Sequence, residues 1–241
     1  MNQLISDQRQ SIIFNEFLLS RGLMDMWKHV EATNPGRDNA YHNTRHMQEV
    51  AQLALDILRV TPEYLTMTAE ERTFSEIVVV VAGMWHDYGH TAGRLTDAEN
   101  IKIATAGFID YLVAVDAVEI SAPSPLVQYS NDLLADRVSD VLFVTEFPFI
   151  YTPTSIEQRV VRDADLLYTF SNETCSILGG LYAEILPKLN GMSFTEFVQG
   201  QKAFHDSVVL YTLPGKAIHS QQAPRIIQAQ SEYALHLSRF D

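Results

Sequence analysis

Apolar residues recur along this chain at mixed spacings of three and four, the pattern of helices that bury one face. The pattern predicts a helix over residues 12–27, a turn over residues 34–39 and a second helix that Pro62 ends. A third helix is expected to start near Thr68, because Glu71 three residues later completes a capping box. The apolar faces of the first two helices contain Ile12, Ile13, Phe17, Leu18, Met24 and Trp27, then Val50, Leu53, Ala54, Ile57 and Leu58.

The third helix runs into the most apolar stretch of the chain, Ile77 to Trp85. Its valines would suit a strand, but the helical pattern extends back to Glu70 and is too long for a typical strand. No series of alternating, turn-bounded strands occurs elsewhere, so the sequence predicts an all-α fold. The remaining helices are predicted over residues 97–115, 125–144, 154–170, 173–189, 193–211 and 216–238, with breaks at Pro148, Pro153, Pro187 and Pro214.

Charge and cysteine content narrow the classes of partner. The 241 residues carry a net charge of −13, which disfavours an extended nucleic acid but not a small phosphate ester beside a bound metal. The single cysteine, Cys175, excludes an intramolecular disulfide and a thiolate metal cluster, and it favours a cytoplasmic location. The chain begins without a signal-peptide pattern, and its longest apolar run is far shorter than a membrane span. We therefore expect no membrane partner.

Three short segments concentrate residues that bind metals. His42 and His46 lie four residues apart after a turn, so on a helix they share one face. His86 and Asp87 end the most apolar stretch, where a buried carboxylate needs a cation. Asp163 follows two valines on a predicted helix, with Asp165 two residues later. Each segment alone suits a surface pair, a capping ion pair or a solvated acid, but together they predict a metal site.

Imidazole and carboxylate ligands without thiolate suit zinc, manganese, iron or magnesium, as one ion or two. The other four histidines lack such grouping and are interpreted as surface or core residues. They are His29, His205, His219 and His236.

At these residues the chain resembles the HD superfamily of metal-dependent phosphohydrolases, whose pattern is a His, a His-Asp pair and a distant Asp on helices. The resemblance implies the metal ligands His46, His86, Asp87 and Asp163. Asp163 is preferred to the second acid of Asp-Ala-Asp because that family commonly places the first acid on the metal. The resemblance also implies one HD-type helical domain over residues 1–241. Its metal-binding core covers about residues 30–170, and C-terminal helices over 173–241 pack on it.

A closer resemblance is to the catalytic domain of class I cyclic-nucleotide phosphodiesterases. Tyr41-His42-Asn43-x-x-His46-x-x-x-Val50 is similar to the opening signature of that family, and His86-Asp87-x-x-His90 is similar to its second motif. The resemblance implies that His42 protonates the leaving oxygen and that His90 supports the ligands or a water without binding the metal.

Five further residues have assigned or alternative roles. Asn43 is expected to orient the turn, Arg45 to be solvated, and Glu99 is the acid we would test as a support for His42. Gln201 and Phe204 are similar to the residues that clamp a purine ring in phosphodiesterases, and an amphipathic helix explains them equally well.

The function implied is hydrolysis of a small phosphate ester, either a phosphodiester or a nucleotide, by water activated at a divalent metal. A nucleotidase or nucleoside triphosphate hydrolase on the same site stays open, as does a non-catalytic regulatory HD module. A di-iron oxygenase would need further histidines, and only His90 remains between the motifs. The expected partner is a small, nucleotide-like phosphorylated substrate, and homo-oligomerisation stays open.

Overall fold

The computed structural model describes residues 12–117, 129–171 and 173–239, and its elements there are helices, which confirms the all-α prediction. The first 4 residues of the helix predicted over 125–144 lie outside the described residues. In chain order the helices are α1 (12–20), α2 (Met24–Thr33), α3 (Thr44–Arg59), α4 (Pro62–Thr66), α5 (Ala69–Trp85), α6 (Asp97–Ala117), α7 (Asn131–Phe143), α8 (Ile156–Tyr168), α9 (Thr174–Ile185), the 3₁₀ turn Leu186–Lys188, α10 (Phe194–Ser207) and α11 (Leu213–Leu237).

Caps set several of these boundaries. The capping box predicted at Thr68 and Glu71 is confirmed: the hydroxyl of Thr68 accepts from the backbone N–H of Glu71 at 3.2 Å, and the Glu71 carboxylate accepts from the backbone N–H of Thr68 at 2.7 Å. Equivalent boxes begin α8 at Ser155 and α10 at Ser193. A side chain that satisfies the free N–H groups of a first turn fixes where the helix starts.

The prediction of one helix over residues 12–27 is wrong. Gly22 adopts φ 68°, in the left-handed region, and separates α1 from α2. The break also changes which apolar side chains face the core. Ile12 and Ile13 are 58% and 52% exposed, whereas Phe14, one residue later, is buried.

Helix α5 is the centre of the core. Its residues from Ser75 to Trp85 are all buried, and it packs against α3, α7 and α8. Each Val or Ile buried there stabilises the fold by about 1.5–3 kcal/mol. At Gly83 an added Cβ would lie 2.5 Å from the Cα of Ala51 on α3, so the glycine permits a very close helix contact. This contact brings the start of α3 alongside the end of α5.

A second, smaller hydrophobic cluster lies in the C-terminal helices. Leu178, Phe197, Val198 and Ala234 form it, from α9, α10 and α11. Helix α9 packs against the loop before α3, where Gly180 approaches the carbonyl of Ala40 so closely that a Cβ would lie 2.5 Å from its oxygen. Among the described residues, no helix combines the length and apolarity that crossing a membrane requires.

A buried carboxylate ties the N-terminal helices to α5. Glu76 accepts from Arg21 Nη2 at 2.7 Å, from Arg59 Nε at 2.8 Å and from the Tyr64 hydroxyl at 2.8 Å. Burial opposes the charge of Glu76, but the hydrogen bonds from Arg59, Tyr64 and Arg21 outweigh it and lower its pKa below the ordinary value of 4.5. The carboxylate therefore stabilises the fold as an anion.

We predict that Glu76→Gln lowers the free energy of unfolding by about 2 kcal/mol at pH 7, since charged hydrogen bonds are lost and donors are left unpaired. Because the folded-state pKa is depressed, this stabilisation is complete above pH 4.5 and is lost as the pH falls through the folded-state pKa. The gap between wild type and variant should therefore narrow in acid. Urea unfolding across this pH range measures it, with the exposed Glu70→Gln as the control. A gap that widened in acid would contradict the prediction.

Candidate metal centre

Three helices deliver the central side chains. Asn43 caps α3, and its side-chain oxygen accepts from the backbone N–H of His46 at 3.1 Å, which fixes His46 in the first turn. His86 caps the C-terminal end of α5, and Asp87 follows it directly. Asp165 comes from α8. Because α3 packs closely on both α5 and α8, these side chains meet at one point.

The four ligand atoms are spaced as the corners of a coordination shell. His46 Nε2 lies 3.1 Å from His86 Nε2, and Asp87 Oδ2 lies 3.1 Å and 3.0 Å from these two nitrogens. Asp165 Oδ1 lies 3.3 Å and 3.7 Å from the same nitrogens. Ligands at about 2.0–2.2 Å from one ion are roughly 3.0–3.6 Å apart at neighbouring positions. A single divalent ion therefore fits against His46, His86 and Asp165, whose ligand atoms lie within 4.8 Å of one another, and Asp87 Oδ2 lies within 3.1 Å of both histidine nitrogens.

The hydrogen bonds around the donor atoms leave several of them facing one point. His86 Nδ1 lies 2.9 Å from the carbonyl oxygen of Gly83, so Nδ1–H donates there and Nε2 keeps its lone pair. Asp87 Oδ2 is buried and accepts no hydrogen bond of suitable geometry, although two nitrogens approach it. Nitrogen and carboxylate oxygen atoms that converge on one buried point call for positive charge there, which protonated imidazoles or a divalent ion can supply.

Two carboxylates dominate the electrostatics of this cluster. Burial raises the pKa of Asp87, but the neighbouring His86 and His42 outweigh it and hold the pKa well below its ordinary value. Burial likewise lowers the pKa of His46, while the carboxylates of Asp165 and Asp87 raise it overall to about 9. The local field therefore favours cations in a protein region that is almost closed to water.

The structure does not bring Asp163 to this cluster, which corrects the choice of Asp163 over Asp165. Two residues on a helix differ by roughly 200° in direction, so only one of the two acids can face α3 and α5. Asp163 is fully buried and accepts from Tyr211 N at 2.9 Å, Thr212 N at 2.8 Å and Thr212 Oγ1 at 2.7 Å. It anchors the start of α11, and Asp165 faces the histidines.

His42 is held by an acid that the sequence did not point to. Glu184 on α9 accepts from His42 Nδ1 at 2.7 Å and from the backbone N–H of His42 at 2.9 Å, and it also accepts from the backbone N–H of Tyr41. Glu99, the acid expected here, instead accepts from the N–H and hydroxyl of Thr96 and caps α6. The one signal for Glu184 was a lone carboxylate within the apolar stretch 177–186.

His90 packs against His42. The ring centroids are 3.7 Å apart and the planes differ by 29°, and the Nδ1 of His90 accepts from Ala92 N at 3.2 Å. Burial and the neighbouring His42 lower the pKa of His90 to about 4. The atoms of His42, Asp87 and His90 are close enough for a second ion, within 4.8 Å of one another. Stacked rings direct their lone pairs side by side, however, which suits this group less well than the first.

The loop before α3 is tied to the loop after α5. Asn39 Nδ2 donates to the carbonyl oxygens of His42 at 3.1 Å and His90 at 2.8 Å. Asn34 Oδ1 accepts from the backbone N–H of Gly89 at 2.9 Å. The turn over residues 34–39 therefore contributes two amides that hold the histidine loops together.

Arg45 is exposed and pairs with Glu49, as expected of a solvated arginine.

A cavity of about 490 Å³ opens beside these groups. Both hydrophobic clusters contribute to its walls, so it lies between the core and the C-terminal helices. Gln201 and Phe204 of α10 line it, as do His42, Asp87 and Asp165. Among the described residues that line it, Lys188 is the one lysine or arginine.

No family model matches this chain, and no curated protein matches it. The interpretation of the site therefore rests on the geometry of its own residues.

We predict that Asp165→Asn and Asp163→Asn separate metal binding from stability. Asp165→Asn should reduce the bound divalent ion after purification, with little change in the unfolding temperature of the metal-free protein, because a ligand is lost. Asp163→Asn should lower the free energy of unfolding by about 1–3 kcal/mol, because its NH₂ group faces donors, and should retain the ion. Elemental analysis and thermal unfolding measure the two effects. Loss of the ion from Asp163→Asn, with a loss of stability in Asp165→Asn, would contradict the prediction and place Asp163 at the metal.

Proposed function

We propose that this protein is a metal-dependent phosphohydrolase that cleaves a small phosphodiester or nucleotide. The observation that carries the proposal is the spacing of His46, His86, Asp87 and Asp165 around one point, beside a histidine that is paired with an acid. Histidine and carboxylate donors of this kind suit zinc, manganese, iron or magnesium, as one ion or two. The resemblance of the sequence segments to HD phosphohydrolases agrees with this chemistry.

His46, His86, Asp87 and Asp165 would hold the ion. The chemistry that a divalent ion would supply there is activation of water at neutral pH and an offset of negative charge on the phosphoryl oxygens. The buried, ionised Asp87 and the half-buried Asp165 keep the site attractive to a cation, and the closely packed α3, α5 and α8 keep the ligand atoms in place before it binds. This preorganisation lowers the conformational cost of binding.

His42 is the general acid in this proposal. Its Nδ1 contacts Glu184, so its Nε2 is the nitrogen left to protonate the leaving oxygen of a substrate in the cavity. Burial raises the pKa of Glu184, but its hydrogen bond to His42 outweighs this and lowers the pKa, so Glu184 stays ionised. The carboxylate then stabilises the imidazolium form that an acid catalyst needs.

The cavity favours a diester over a triphosphate. Its walls carry three carboxylates and, among the described lining residues, one lysine or arginine: Asp87, Asp97 and Asp165, with Lys188. A triphosphate would bring several further negative charges into this negative field. A diester carries one negative charge and two organic groups. Phe204 and Gln201 offer a ring and an amide to one such group, as a nucleobase would require.

We predict that the purified wild-type protein contains a divalent metal and hydrolyses diesters in a panel of bis-p-nitrophenyl phosphate, cyclic nucleotides, nucleoside monophosphates and nucleoside triphosphates. Asp87→Ala should lose both metal and activity, since it removes a ligand. Phosphate or nitrophenol release measures turnover. Cleavage of only monophosphates or triphosphates would move the substrate class to a nucleotidase or triphosphatase. Metal-replete protein that is inert on every substrate would favour a regulatory module and overturn the proposal.

We predict that His42→Ala keeps its metal and lowers kcat by about 10²–10⁴, the usual contribution of a general acid. Glu184→Gln should lower kcat less, since Glu184 orients the His42 ring without touching substrate. Arg45→Gln is the matched control, because its exposed side chain contributes little. Loss of metal from His42→Ala would instead assign His42 to the ligands.

A further inference from the structure

The connection between α7 and α8, residues 144–155, carries an aromatic segment that forms part of the cavity wall. Phe147 and Phe149 both line the cavity. Their rings meet edge to face at a centroid distance of 5.3 Å, and Phe147 lies 6.4 Å from Phe204 across the same cavity. The segment has no helix of its own, so side chains from elsewhere must hold it in place.

One arginine holds both ends of this segment. Arg162 on α8 is buried, and its Nη1 donates to the carbonyl oxygen of Val144 at 3.1 Å and to that of Tyr151 at 2.9 Å. Between these two anchor points, the guanidinium lies over the Phe149 ring at 3.5 Å from its centroid. The arginine thus closes a loop of backbone and stacks on the ring inside it.

The environment of Arg162 is unusual for a buried cation. Among the described residues, no carboxylate lies within the 4.0 Å ion-pairing distance of its guanidinium. A buried charge without a counter-ion is costly, and two carbonyls and an aromatic face compensate only part of that cost. Lysine could not reproduce the contact, because its point charge lacks the planar surface that stacks on a ring. The geometry therefore requires arginine in particular.

A second anchor fixes the cavity end of the segment. Asp97 Oδ2, at the start of α6, accepts from the backbone N–H of Phe147 at 2.6 Å. The segment is thus held from α6 on one side and from α8 on the other. Both Phe147 and Phe149 are aligned with the cavity by contacts that do not involve the metal-facing residues.

We propose that Arg162 is a positioning residue that fixes Phe149 as a flat wall of the cavity, and that this wall packs against a planar organic group of the substrate. The second half rests on the proposed phosphohydrolase function. The wall lies on a different segment from Gln201 and Phe204, so it sets specificity from a second side. Arg162 itself touches neither the reacting phosphate nor the metal-facing side chains in this assignment.

The test compares Arg162→Lys, Arg162→Gln and Phe149→Leu with wild type. Arg159→Lys is the matched control, since Arg159 lies on the same helix but pairs with Glu63 near the surface. The first measurement is the rate of chymotrypsin cleavage after Tyr151, a site that all these variants keep. The second is KM and kcat for bis-p-nitrophenyl phosphate, whose nitrophenyl groups are planar. Metal content is measured in every variant.

Both Arg162 variants should be cleaved on the order of tenfold faster in this segment, because the clamp is lost. Their KM should rise by about tenfold with kcat within roughly twofold, since a wall contact contributes to binding and not to chemistry. Phe149→Leu should raise KM similarly while the segment stays resistant, because the carbonyl contacts of Arg162 remain. Arg159→Lys should match wild type in both measurements.

Three results would overturn the inference. They are unchanged cleavage in both Arg162 variants, a fall in kcat at constant KM, or full recovery by lysine. If wild type hydrolyses no phosphate ester of the panel, the proposed function fails on its own, and the cleavage rates still decide whether Arg162 holds the segment. Loss of metal from Arg162→Gln but not from Phe149→Leu would also contradict the assignment, because it would place the arginine in support of the metal ligands.

Discussion

The site depends on two carboxylates, one buried and one half-buried, that face the same pair of imidazoles. Asp87 and Asp165 approach the Nε2 atoms of His46 and His86 from different elements. Because the Nδ1–H of His86 donates to the Gly83 carbonyl, the His86 ring cannot neutralise a carboxylate through Nδ1. Ordinary hydrogen bonds therefore do not satisfy all four groups. Electrostatics of this kind stabilise a bound cation and destabilise an empty core. Much of the surrounding architecture serves to bring these atoms within reach, above all the close contact between α3 and α5 at Gly83.

The helices could largely be predicted because their signals are local. The capping box at Thr68 and the length of the apolar stretch before His86 depend on residues within a few turns of one another. The break at Gly22 was missed because the apolar pattern continues across it. A glycine that adopts positive φ ends a helix without changing the spacing of the hydrophobic residues on either side.

The site was less accessible to sequence reasoning for two physical reasons. The choice between Asp163 and Asp165 depends on the rotation of α8 about its own axis, which packing against α3 and α11 fixes. The pairing of Glu184 with His42 joins residues that are 142 positions apart, so no local pattern reveals it. His46, His86 and Asp87 could be chosen as candidate ligands because their signals are local. His46 lies four residues after His42, and the His86-Asp87 pair directly follows the most apolar stretch.

The contact between Glu184 and the loop at His42 has a consequence for the order in which the molecule is assembled. A chain that has been synthesised from its N-terminus to the end of α8 already contains His46, His86, Asp87 and Asp165, together with the helices α3, α5 and α8 that carry or precede them. It lacks the carboxylate that accepts from the Tyr41 and His42 backbones and holds the His42 ring. In the proposed function, the capacity to hold a cation would therefore arise during synthesis before the capacity for proton transfer, which needs α9 to dock.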